Sequence, residues 1–278
     1  MASLPNLPNE ILIAILERLA NTDLQSLISS QRTSSRFHAL ARDILFNTQG
    51  HHLNAPAPSS FPGFLKARFG YILNTAACFT EAEKKTRIFY LSLNGDSTRP
   101  FRRFPWARDR DTRAAYLRPD ASWRALSPTF GTAPITHLDV VRSYACDFEG
   151  ADVVSYAQAD LPPSGLTLGM LWDMLLSDGG TFGSDTGSWE VQLGRRLRSF
   201  DTLWEFQCFI TDNEALVVRG DEAAEAAILY VRGSQDSVTP PLRCDEDGWI
   251  PGRIGECPPR LLPWQGPLQN PETLESLS

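Results

Sequence analysis

Apolar residues near the start of the chain recur at helical spacing. Leu7, Ile11, Ile15 and Leu19 stand four apart, and Leu12 and Leu16 widen the stripe. Pro8 suits a first helical turn, where its missing N–H would have no partner. Thr22-Asp23 reads as the start of a short second helix over Leu24–Ser29. The spacing predicts a third helix over Ser34–Phe46, with Phe37, Leu40, Ala41, Ile44 and Leu45 on one side. Residues 1–47 therefore read as an all-α unit of three helices. On a helical wheel the first stripe fills roughly half the cylinder, where about 100° serves a surface helix. So wide a stripe means deep burial or two separate contacts. A unit this small buries little by itself. A partner covering part of the stripe resolves the conflict, and helix anchors of this kind are a common recognition mode.

The pattern then breaks. Residues 48–63 hold Gly50, Pro56, Pro58, Pro62 and Gly63 with few apolar residues between them, and read as a linker. Residues 64–232 mix the two periods. Phe64–Leu73, Ala121–Leu126 and Leu168–Leu176 read as helices. Arg87–Leu93, Trp189–Leu193, Leu203–Ile210, Leu216–Val218 and Ile228–Val231 read as strands. No regular βαβ rhythm appears, so this is an α+β region of unassigned fold. Residues 233–278 are Pro-rich, from Pro240 to Pro271, and read as a tail without long regular elements. No internal repeat is visible, which argues against a leucine-rich solenoid or an ordinary propeller.

Composition narrows the function classes. Hydrophobic residues are 42% of the chain and charged residues 21%, with seven Trp and fifteen Phe, so a core can form. A net charge of −7 argues against nucleic acid, whose partners carry a basic field. No run of eighteen apolar residues suggests a membrane span, and Met1–Asn9 carry none of the Lys or Arg of a signal peptide. The five Cys (Cys78, Cys146, Cys208, Cys244, Cys257) are scattered and form no Cys-x-x-Cys pair. The expectation is a reducing compartment, cytoplasm or nucleus, with no metal and no cofactor.

Leu7-Pro8-Asn9-Glu10-Ile11-Leu12, then Ile15-Leu16, Leu19, Asp23-Leu24, Leu27 and Ser35-Arg36-Phe37, resembles the F-box. The likeness covers about 42 residues. Ser29-Ser30-Gln31-Arg32-Thr33-Ser34 departs from it, standing where an apolar residue and Cys often occur. The resemblance implies docking on a Skp-type adaptor, which joins a cullin scaffold and a RING subunit. It makes Leu7, Pro8, Ile11, Leu12, Ile15, Leu16 and Leu19 the expected adaptor contacts, extended by Asp23, Leu24 and Leu27. It implies a substrate-recognition adaptor of an SCF-type cullin-RING ubiquitin ligase, presenting an unidentified protein substrate, and not an enzyme. Two other classes stay open: an F-box protein working outside a ligase, and an enzyme with an unread site in the α+β region. Arg118-Pro119-Asp120-Ala121-Ser122-Trp123-Arg124 and Gly165–Asp173 also resemble segments of fungal F-box proteins whose C-terminal region has no assigned chemistry.

Other constellations carry less. Four His are present: His38 in the third helix, His51 and His52 in the linker, and His137, which could pair with Asp139 or Cys146. A structural His fits His137 better than a catalytic base. Gly179-Gly180-Thr181-Phe182-Gly183 lacks the Gly-Lys-Ser/Thr ending of a phosphate loop. Asp147–Asp152 lacks calcium-loop spacing. One charge cluster stands out: Arg99, Arg102, Arg103, Arg108, Arg110 and Arg113, interleaved with Phe101, Phe104 and Trp106. Arg forks bind phosphate or carboxylate, so Arg99, Arg102, Arg103, Trp106 and Arg108 are candidate substrate contacts. Asp109 and Asp111 partly neutralise the run, and a solvated loop is the plainer reading.

Overall fold

A computed structural model describes residues 7–22, 24–46, 69–84, 99–129, 134–145, 152–176, 186–197, 220–234, 249, 251–255 and 258–266. Three helices open the chain: α1 (Asn9–Thr22), α2 (Leu24–Ser30) and α3 (Ser35–Phe46). Pro8 directly precedes α1, and its carbonyl accepts the first helical bond, from the Leu12 amide at 3.1 Å. Glu10 in the first turn suits the positive end of the helix dipole. The Ser-rich stretch that departs from the F-box pattern supplies turn chemistry. Ser30 Oγ donates to the Leu27 carbonyl at 2.7 Å, and amides 31 to 33 turn back onto carbonyls 28 to 30. Ser34 then caps α3, its Oγ accepting from the Phe37 amide at 3.3 Å. Leu12, Leu16, Leu27, Phe37, Ala41 and Ile44 pack between the helices and belong to a buried cluster that continues into the aromatic residues of the remainder.

The remainder is built on one mixed sheet, consistent with the expected α+β class. Its strands are β1 (His137–Ala145), β2 (Asp152–Ala159), β3 (Thr186–Leu197), β4 (Gly220–Ser234) and β5 (Leu261–Pro263), in the order β3-β4-β1-β2-β5. Among the described residues, β1 and β4 are the one parallel pair, with Val140 opposite Leu229. At Gly194 the β3–β4 register slips between Leu193 and Arg195, and Gly194 takes φ +73, which a side chain would disfavour.

One sheet face carries Leu138, Val140, Trp189, Val191, Leu193, Ala227, Leu229 and Val231 into an aromatic core. Phe101, Phe104, Trp106, Trp123 and Trp172 fill that core; Phe101 stacks on Trp189 at 4.7 Å and Trp106 on Tyr116 at 5.0 Å. Two short helices frame it, α4 (Arg110–Tyr116) and α5 (Leu168–Leu175). Asp109 caps α4 by accepting from the Thr112 amide, and that bond holds its carboxyl below the usual range. Thr167 caps α5 through the Met170 amide at 3.2 Å. The other sheet face carries Asp139, Val141, Ile228 and Tyr230, all buried.

The expected helix over Leu168–Leu176 is α5, and Ala121–Leu126 holds a 3-10 turn at Ser122–Ala125. Of the expected helix at Phe64–Leu73, residues 69–73 are helical and the rest lie outside the described residues. The strands expected at Trp189–Leu193 and Ile228–Val231 lie inside β3 and β4. The linker 48–63 and the strands expected at Arg87–Leu93, Leu203–Ile210 and Leu216–Val218 lie outside the described residues. Strands β1 and β2 were not anticipated. Nor was the seating of residues 249–266, read as tail, against the sheet. β5 pairs with β2, Trp172 Nε1 donates to the Gly252 carbonyl at 3.1 Å, and Trp264 Nε1 donates to Asp139 Oδ1 at 3.1 Å.

Candidate functional site

The wide stripe of α1 divides. Leu12 and Leu16 turn inward onto Leu27 of α2 and Phe37, Ala41 and Ile44 of α3. Ile11 and Ile15 turn outward, 49% and 37% exposed, and are the exposed large hydrophobics among the described residues. Pro8 is exposed one turn before Ile11, so Pro8, Ile11 and Ile15 follow one i, i+3, i+7 row. Leu7 and Leu19 are half-buried at the two ends of the helix. Of the ten expected adaptor contacts, burial takes Leu12, Leu16 and Leu27 off the surface. They are the domain's own core and support the outward row from beneath. Asp23 and the side chain of Leu24 lie outside the described residues.

The start of α1 is tied to α3 by one residue that the expected contact set omits. The Arg36 guanidinium donates through Nε and Nη2 to Asn9 Oδ1, at 2.8 and 2.6 Å. Its Nη2 also donates to the Leu7 carbonyl at 2.6 Å. These bonds bracket Pro8. The sequence signal was present, since Arg36 belongs to the Ser-Arg-Phe run that carries the resemblance, but no spacing rule links positions 27 apart.

The arginine cluster does not form one surface. Trp106 is 1% exposed and belongs to the aromatic core, so it offers no contact to a substrate. Phe101 and Phe104 are buried beside it. Arg103 lies over the Phe79 ring at 4.5 Å and donates to the Cys78 carbonyl at 3.1 Å. Arg113 donates to the Ala107 carbonyl and lies over Trp249 at 4.5 Å. Arg102 is half-buried, and the side chain of Arg99 lies outside the described residues. Arg108 is exposed, in a run with Arg110 and Arg118 that Asp109, Asp111 and Asp120 interrupt.

His137 is held at both ring nitrogens, by Asp139 Oδ1 at 2.8 Å and Gln158 Nε2 at 3.2 Å. Asp139 also accepts from the Leu197 amide and Trp264. Cys146, the other partner considered for His137, lies outside the described residues, as do His51, His52 and residues 179–183 and 147–151. On the same sheet face burial pushes the Glu190 carboxyl upward, and burial and Glu190 together push the Tyr230 phenol upward. Burial also raises the Cys78 thiol. Among the described residues no group of three or more His, Cys, Asp or Glu is placed to hold a metal ion. No described helix is long and apolar enough to cross a membrane.

A second buried carboxylate, Asp173 of α5, ion-pairs with Arg124 and accepts from the Ile254 and Gly255 amides at 2.8 and 3.0 Å. Segments 118–124 and 165–173 therefore face each other. Leu168 N donates to the Leu126 carbonyl at 2.9 Å where they meet.

Comparison with known families agrees with the geometry at the N-terminus. The F-box-like family model matches residues 4–49, which contain all three helices. The chain thus carries an F-box-like domain, and such domains generally bind Skp-type adaptors. Neither a curated protein nor a solved structure matches the chain.

Proposed function

We propose that this chain is the substrate-recruiting subunit of an SCF-type cullin-RING ubiquitin ligase. One observation carries the reading. An F-box-like domain presents Pro8, Ile11 and Ile15 as an outward apolar row over a core that is already filled. Apolar side chains lose solvation cost when covered, about 1.5–3 kcal/mol for each large one, and a Skp-type adaptor is the partner this domain class takes. The α+β unit is the part that holds the substrate, a protein not identified by its chemistry. The chain contributes proximity, raising the local concentration of substrate at the ubiquitin-charged enzyme. Its Arg108 and Arg110 are the exposed basic positions of the cluster offered to an acidic degradation signal.

Affinity purification with mass spectrometry tests this. The intact chain is expected to bring down both the Skp-type adaptor and the cullin, and residues 48–278 neither. Adaptor without cullin would place the chain outside a ligase. Adaptor retained by residues 48–278 would overturn the docking assignment.

A further inference from the structure

We propose that Arg36 is a positioning residue for adaptor docking: its fork on the Leu7 carbonyl and the Asn9 carboxamide fixes where the chain enters α1, and so the place of Pro8 relative to Ile11 and Ile15. The inference rests on the reading that this row docks on a Skp-type adaptor.

Ile11 and Ile15 need no such help. Both lie within α1, where the backbone ladder and the buried neighbours Leu12 and Leu16 hold them in register. Pro8 is different. It precedes the first helical residue and donates no backbone hydrogen bond of its own. The Leu12 amide, donating to the Pro8 carbonyl, links it to the helix. Helix ends fray, and an unpinned start would leave Pro8 and Leu7 to be ordered at the moment of binding. Arg36 supplies the missing tie from α3, itself seated by the buried Phe37 next to it. The guanidinium reaches both sides of Pro8, one bond to the residue before it and two to the residue after it. A planar fork can do this and a lysine ammonium cannot serve the same two acceptors in the same geometry. The clamp thus joins two faces of the domain. One end stands on α3, inside the fold, and the other sets the tip of the docking row.

The test uses the full-length chain with purified Skp-type adaptor, and reads affinity together with hydrogen exchange. Arg36→Ala is expected to weaken adaptor binding by about tenfold or more. In the free chain it should speed amide exchange over residues 9–12 while α2 and α3 keep their protection. Adaptor should restore that protection. Asn9→Ala, which leaves the Leu7 bond in place, should give part of that loss, and the double variant should be no worse than Arg36→Ala alone, because Arg36→Ala already removes every bond of the clamp. Arg36→Lys should not rescue. Native affinity in Arg36→Ala would overturn the proposal. So would losses that add in the double variant, because Arg36 would then touch the adaptor directly. Deprotection spread over all three helices would reduce Arg36 to a general fold residue. If the native chain itself fails to bind adaptor, the docking reading falls and the positioning role falls with it, whereas native binding with an indifferent Arg36→Ala removes the positioning role alone.

Discussion

Ile11 and Leu12 are neighbours of similar size with opposite duties. Leu12 is sealed among Leu16, Leu27 and Phe37, and Ile11 faces outward. Leu12→Ala is therefore expected to cost the helical domain about 2–5 kcal/mol, the range for a buried truncation. Ile11→Ala should move stability by no more than about 0.5 kcal/mol, as exposed positions do. Helicity followed through urea unfolding checks both. The sequence showed a half-cylinder stripe and the need for two contacts, but it could not divide the stripe. Which row turns inward depends on how α3 crosses α1, and Phe37, Ala41 and Ile44 decide that only once folded. Glu190 gives a second residue-level expectation. Burial holds its carboxyl above the ordinary value. Such a group binds its proton more tightly in the folded chain, so its contribution is whole below the unfolded pKa and is lost as pH rises through the folded one. Glu190→Gln should raise the thermal midpoint at neutral pH, and the gain should disappear as pH falls below the carboxylate range. A gain that persists in acid would point to packing instead of charge.

At the scale of elements, α1, α2, α3 and α5 were legible, whereas α4, β1, β2 and β5 were not. α1, α3 and α5 show their period and their caps. β1 does not, because Leu138-Asp139-Val140-Val141 is buried on both faces and a carboxylate stands within it. The start of β4, Gly220-Asp221-Glu222-Ala223-Ala224-Glu225, has helix-forming composition, yet Gly220–Glu222 pair with Leu197–Arg195 in the sheet. Tertiary pairing overrides local preference there. The prolines around 240–271 hid β5, although Pro263 is tolerated because β5 lies at a sheet edge. Buried carboxylates hold this C-terminal segment: Asp173 takes the Ile254 and Gly255 amides, and Asp139 takes the Trp264 indole. A Cβ on Gly255 would overlap Asp173 Oδ2, so Gly255→Ala must push the segment or the carboxylate aside. Loss of about 1–3 kcal/mol is expected. Asp173→Ala should cost more, about 3–5 kcal/mol, since it strands Arg124 largely out of water. Urea unfolding, with proteolysis around residues 249–266, reads both. Neither change should disturb adaptor binding.

For the whole molecule, the account assigns two tasks to two parts of one chain. The three helices offer an apolar row outward, and the α+β unit with its aromatic core is the part proposed to hold a substrate. Trp123 tests their separation. It stacks on Phe69 at 5.3 Å and donates to the Tyr116 carbonyl at 2.7 Å. Trp123→Ala should destabilise the α+β unit by about 3–5 kcal/mol and leave adaptor affinity alone. The claim at the centre is that Ile11 and Ile15 bind the adaptor. Calorimetric titration of purified Skp-type adaptor into the full-length chain tests it most directly, with native and Ile11→Asp/Ile15→Asp proteins side by side. The account expects the native chain to bind and the charged variant to lose at least about 100-fold in affinity, with an unchanged unfolding midpoint, because two carboxylates would be buried without partners. No binding by the native chain, or equal binding by the variant, would contradict it.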